Sequence, residues 1–167
     1  VLAGMLLYVS SCSDKYAIAP LAKDSNPPSL STPFVSVAST KKYVPFGGNG
    51  GSNPSYELYL NDTNQVVLAT CKGFVKSVEA NAEGDSKLIL EPRRNSIYTI
   101  IYNHVKNVTM VIGDSIAAGS ALGKVGVGGR ISFQLNKTEN NATLALCPGS
   151  FRSEEHTSEL QSHHDLV

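Results

Sequence analysis

Apolar and polar residues alternate with a period of two along much of this chain, the spacing of a half-buried strand. Tyr56, Leu58 and Leu60 alternate with Glu57, Tyr59 and Asn61. Tyr98, Ile100 and Tyr102 alternate with Thr99, Ile101 and Asn103, and Ile131, Phe133 and Leu135 with Ser132 and Gln134. Stretches 65–70, 74–80, 87–91, 124–127 and 142–147 read as further strands, with a short one at 34–37. Between Val75 and Val78 the alternation slips, which predicts a bulge or local twist. Polar or glycine-bearing turns separate these runs: N-D-T-N at 61–64, N-A-E-G-D at 81–85, P-R-R-N at 92–95, a turn at 104–107, Gly113-Asp114, and N-K-T-E-N-N at 136–141. No segment has a helical period. Strands recurring every 8 to 12 residues or so predict an all-β antiparallel fold, a two-sheet sandwich or flattened barrel over 34–151.

The ends follow other rules. Residues 1–9 are apolar and uncharged and run into Ser10-Ser11-Cys12. This resembles the end of a bacterial lipoprotein signal, with 1–11 as the signal fragment and Cys12 as the lipidated residue; an ordinary cleaved signal is the other reading. The run is shorter than the roughly 20 residues needed to span a bilayer. Residues 12–33, with Pro20, Pro27, Pro28 and Pro33 and no periodicity, read as the lipidated cysteine and a flexible tether. Residues 152–167 resemble the translation of a DNA-sequencing adapter and are read as an artefactual tail. Leaving them out removes Arg152 and four acidic residues from a balance of 14 against 14, so the remainder is at net charge +3. That is too weakly basic for a nucleic-acid footprint. It also leaves His104 as the one histidine.

Residues 102–126, Y-N-H-V-K-N-V-T-M-V-I-G-D-S-I-A-A-G-S-A-L-G-K-V-G, resemble the signature of the lysostaphin-type (LytM-type) zinc endopeptidases, whose catalytic domain has the duplicated hybrid motif fold. The likeness extends over about residues 44–151. It implies a β domain acting on the peptide crosslinks of bacterial cell walls, with His104 at the family's non-ligand histidine, which helps to stabilise the reaction intermediate. The same glycine pattern resembles biotinyl-lipoyl carrier hairpins.

The chain departs from the family where the zinc ligands belong. Arg130-Ile131-Ser132 stands in place of His-x-His, and Pro54 to Leu58 in place of His-x-x-x-Asp, with Leu58 at the aspartate position. A catalytic zinc needs three protein ligands and an open position. The resemblance therefore implies no metal and no cofactor, and a non-catalytic envelope lipoprotein that binds peptidoglycan or a wall-hydrolase partner. The rivals are an active zinc endopeptidase with other ligands and a carrier-like hairpin module. Three donors converging beside His104 would count against the non-catalytic reading. Arg130, Ser132 and Tyr102 are the candidate binding residues, Arg130 because a guanidinium grips carboxylates bidentately. Tyr56, Tyr59 and Tyr98 either line a groove with them or are half-buried sheet residues. Cys71 and Cys147 either form a disulfide, as exported proteins allow, or are free buried thiols.

Overall fold

The structure, a computed structural model, describes residues 22–152. The apolar leader, Cys12 and the residues from 153 onward lie outside them. The described chain forms ten strands: β1 (Thr40–Val44), β2 (Tyr56–Leu60), β3 (Val66–Leu68), β4 (Gly73–Ala80), β5 (Ser86–Glu91), β6 (Tyr98–Lys106), β7 (Ser115–Ile116), β8 (Ala121–Val125), β9 (Arg130–Glu139) and β10 (Ala142–Leu146). Two 3-10 turns, Val127–Gly129 and Pro148–Phe151, are the only helical pieces among the described residues. The all-β antiparallel expectation holds.

All ten strands share one connected sheet, in the order β1-β2-β9-β6-β5-β4-β7, with β10 against β9 and β8 between β3 and β6. Two strands make the sheet branch. β9 gives its first residues to β2 and its last to β10 while pairing with β6 along the other edge. β6 pairs with β9 as far as Asn103 and with β8 from Val105. The layers expected as separate sheets are thus joined through β6.

The period of two places the core. Tyr98, Ile100 and Tyr102 of β6 and Ile131, Phe133 and Leu135 of β9 all face inward, with Leu58 and Leu60 of β2 and Leu88 and Leu90 of β5. The Tyr102 and Phe133 rings lie 5.3 Å apart. The Tyr102 hydroxyl accepts from the Thr70 backbone N–H at 2.8 Å and pairs with Thr70 Oγ1 at 2.8 Å, so the buried phenol has its partners. The expected bulge is present: the β4–β5 register slips between Val75 and Ser77.

Four expectations need correction. The turn at 104–107 begins later: β6 continues to Lys106, and Asn107 takes the left-handed conformation at φ 57°. The strand expected at 124–127 is β8, which ends at Val125. No strand forms at 34–37, although Phe34 and Val35 are buried in the core. Lastly, the tether reading of 12–33 fails over its later part. Asp24 is paired with Arg93, the Leu30 N–H donates to the Phe151 carbonyl at 2.8 Å, and Leu30 is buried. Phe34 stacks on Phe133 with ring centroids 5.0 Å apart. Proline content argued for an extended chain, which is compatible with a strap lying on the domain as well as with a free linker.

Phe34→Ala removes a nearly buried ring from this stack and is expected to destabilise the domain by about 3 kcal/mol. Urea unfolding monitored by circular dichroism measures it; a change within ~0.5 kcal/mol would show that the strap does not belong to the core.

Candidate functional site

The face of the sheet opposite the core carries a polar cluster. Glu57 and Tyr59 of β2 lie on the opposite face from Leu58 and Leu60, and the ladder sets Glu57 opposite Ser132 and Tyr59 opposite Arg130. On the other edge of β9, Ser132 stands opposite Asn103 of β6. Arg130 Nε is 2.5 Å from Glu57 Oε1, and the same oxygen accepts from the Tyr59 hydroxyl at 2.8 Å. The Arg130 guanidinium also lies over the Tyr59 ring, 5.9 Å from its centroid. Burial works against the arginine's charge, but the Glu57 carboxylate more than offsets it and holds the pKa above its ordinary value. Burial, then the hydrogen bond to Glu57, push the Tyr59 phenol up.

Beside this cluster β6 changes its geometry. Between Tyr102 and Val105 it has three steps where β5 has two from Leu88 to Ser86, so β6 holds an extra residue. His104 has φ 65°, rare for a residue with a side chain. The burial pattern of β6 confirms the slip, for His104 and Val105 are buried in succession. The bulge turns the imidazole toward the β4–β5 hairpin, a recurrent use of bulges. There Asp85, whose side chain is fully buried, meets His104 Nδ1 at 3.2 Å. Asp85 also accepts from Asn81 Nδ2 at 2.6 Å and from the Val127 N–H at 3.3 Å. Asn81 Nδ2 reaches Asn103 Oδ1 as well, at 3.0 Å, linking hairpin to strand. Glu83, exposed at the tip, brings Oε2 to 3.4 Å from the same imidazole nitrogen. Burial alone would raise the Asp85 pKa; the donors Asn81, Val127 and His104 outweigh it and hold the carboxyl below its ordinary value.

Gly126 leaves the space for this contact. A Cβ there would sit 2.5 Å from Asp85 Oδ2 and 2.7 Å from the His104 carbonyl oxygen.

The structure sets Arg130 and Ser132 two residues apart on β9, with Ser132 opposite Asn103, the residue before His104. It removes Tyr102, which is wholly buried and shares the inward face of β6 with Tyr98 and Ile100; a residue without exposure cannot contact a ligand. Leu58, at the family's aspartate position, also faces the core, and Glu57 is the side chain presented in its place. Cys71 and Cys147 are both free, so the disulfide reading is not realised; Cys71 is buried, and its burial raises the thiol to about 11. Cys147 is exposed, its Sγ 3.6 Å from the Tyr56 hydroxyl. The sequence marks Asn81, Glu83 and Asp85 only as turn formers. Glu57 could have been found, since the alternation that sends Leu58 inward sends Glu57 outward.

The zinc set of the resembling family does not fit the matching positions. The one carboxylate there, Glu57, is held by a guanidinium and a phenol, and Pro54, Leu58, Arg130 and Ser132 supply no chelating set. Away from those positions, contrary to the expectation of no metal ligands, donor atoms of Glu83, Asp85 and His104 all lie within 4.8 Å of one another.

Two outcomes are expected of this site. Gly126→Ala drives a methyl group into the Asp85 carboxylate and should cost about 1–3 kcal/mol, read by urea unfolding. Asp85 has a lowered pKa in the folded chain, so its ionisation stabilises the fold above the unfolded-state value near pH 4 and that contribution is lost as pH falls through the lower folded value. Melting temperatures from about pH 2 to 6 should therefore show a flatter acid limb in Asp85→Asn than in the parent; parallel limbs would exclude the coupling.

No family model and no curated protein matches the chain. Solved structures do. The solution structure of lysostaphin superposes with a TM-score of 0.55 at 20% identity, over 78% of this chain and 58% of that one, so this chain spans less than two thirds of its length. The catalytic domain of the antimicrobial peptidase lysostaphin from Staphylococcus simulans gives 0.51 at 22% identity, over 65% and 86%. A mutant catalytic domain of the prophage-encoded M23 protein EnpA from Enterococcus faecalis gives 0.52 at 22%, over 73% and 94%. The chain has the lysostaphin-type fold.

Proposed function

We propose that this chain is a non-catalytic lysostaphin-type peptidase-like domain of an envelope lipoprotein. It binds cell wall, or a wall-hydrolase partner, through the face around Arg130. The observation that carries this reading is the Arg130–Glu57 pair. The resembling family is expected to hold a metal in this region; here a cation built into the chain holds the carboxylate. A half-exposed guanidinium beside a tyrosine ring suits the carboxylates and amides of crosslink peptides. The fold likeness and the apolar leader ending at Cys12 support an envelope location, with the lipid on Cys12 as the membrane attachment.

A second reading, an active zinc endopeptidase with other ligands, is favoured by the convergence of Glu83, Asp85 and His104. It has a chemical weakness. If His104 serves as a ligand, no histidine remains in residues 22–152 to assist the attacking water.

Purified protein incubated with peptidoglycan sacculi separates the two. The expected outcome is co-sedimentation without release of soluble peptide fragments, with or without added zinc. Arg130→Gln is expected to weaken co-sedimentation about tenfold, the size of one charge-assisted hydrogen bond. Zinc-dependent release of fragments would overturn the non-catalytic assignment, and unchanged binding by Arg130→Gln would remove the arginine from the interface. Cys12→Ala should move the protein from the detergent phase to the aqueous phase in a phase-partition experiment; no change would exclude the lipid anchor.

A further inference from the structure

We infer that Glu83, Asp85 and His104 form a binding site for one zinc-class divalent cation at the tip of the β4–β5 hairpin. The site is distinct from the positions where the resembling family keeps its ligands. It is also independent of the wall-binding reading, since either can fail alone.

The spacing of the donors carries the inference. Zinc sits about 2.0–2.2 Å from nitrogen and oxygen ligands, so two ligands of a tetrahedral ion stand roughly 3.3 Å apart. His104 Nδ1 is 3.2 Å from Asp85 Oδ2 and 3.4 Å from Glu83 Oε2. The third pair also lies within 4.8 Å, and Glu83 is the solvent-facing member, with a half-exposed side chain. Hydrogen bonding alone uses this arrangement poorly. An imidazole Nδ1 carries at most one proton, yet two carboxylate oxygens approach it. A cation accepts the nitrogen lone pair and both oxygens together, with the ring proton then on Nε2.

The surroundings are those of a built ligand set. The Asp85 carboxylate is oriented by Asn81 Nδ2 and the Val127 N–H, and Asn81 is itself held near Asn103. Such outer contacts fix the direction of a ligating oxygen. His104 is aimed by a left-handed bulge, and Gly126 leaves the space that a methyl group would take from Asp85 Oδ2. Two carboxylates stand against one imidazole, with Asp85 fully buried and Glu83 half-exposed. The exposed side, at Glu83, is the route of entry, and solvent there can supply the fourth ligand. One nitrogen and two oxygens suit zinc. Calcium takes six to eight oxygens or so, and magnesium keeps most of its water.

Bound there, the ion would join the hairpin tip to β6 across the bulge and stiffen the rim of the Arg130 face. Its removal should loosen the tip and leave the core intact.

The test is zinc titration of the full chain by calorimetry, with melting temperature and cobalt absorption as further readouts. The expected result is one ion per chain, a rise in melting temperature of about 5–10 °C at a hundredfold excess over Kd, and the intense visible bands of tetrahedral cobalt. His156, His163 and His164 of the tail are a rival source of binding, so the titration is repeated with all three replaced by alanine; the ion should still bind. Glu83→Gln, at an exposed position that leaves the fold intact, should weaken binding at least tenfold, and Asp85→Asn further. Absence of binding by folded protein, binding lost with the tail histidines, or binding indifferent to Glu83→Gln would each overturn the site.

Discussion

A fully buried carboxylate organises the polar half of this molecule. Removing the charge of Asp85 from water is costly unless its oxygens are met by donors. The donors come from three places: a side chain within its own hairpin, the imidazole of a bulged residue two strands from β4, and a backbone N–H in the turn before β9. Each holds its segment at a fixed distance from the others. The base of the hairpin tip is tied to the bulge, and the turn leading into Arg130 starts from a defined point. The ion pair that Arg130 makes with Glu57 inherits that precision.

The apolar half is bound by a different logic. Phe133 stacks on Phe34 and meets Tyr102 at a tilt, so an aromatic from the N-terminal strap, one from β9 and one from β6 form one cluster. The phenol of Tyr102 then reaches out of the cluster to Thr70. A residue that sequence alone marks for ligand binding thus supplies the link between the central strands and the loop after β3. β9 serves both halves: Ile131, Phe133 and Leu135 face the cluster, and Arg130 and Ser132 face the site.

Strand identity was legible because burial on one face imposes a period of two that any sequence must obey. β2, β4, β5, β6, β9 and β10 stand close to where the alternation puts them. β1 was missed since T-K-K-Y-V has no alternation: it is an edge strand with exposed lysines, and such edges carry charge to deter pairing with other chains. The site was legible only in part. Arg130, Ser132 and His104 are all marked by the resemblance. Asp85, Glu83 and Asn81 were hidden because the residues that build a tight turn are the same residues that bind cations, and only the third dimension tells which use applies. The bulge at His104 was invisible for a related reason. A slip of one residue leaves no trace in composition, and asparagine and histidine tolerate the required backbone conformation without the glycine that would announce it.

The strap has a mechanical meaning. Because Asp24 is paired with Arg93 and Leu30 with Phe151, the chain is fastened to the body from that point on. A lipid on Cys12, under the proposed reading, would therefore be separated from the fastened Asp24 by only eleven residues. Even at full stretch that is about 40 Å. Under that reading the domain would stay in a thin shell above the bilayer, and tension on the lipid would reach the body first at the Asp24–Arg93 pair.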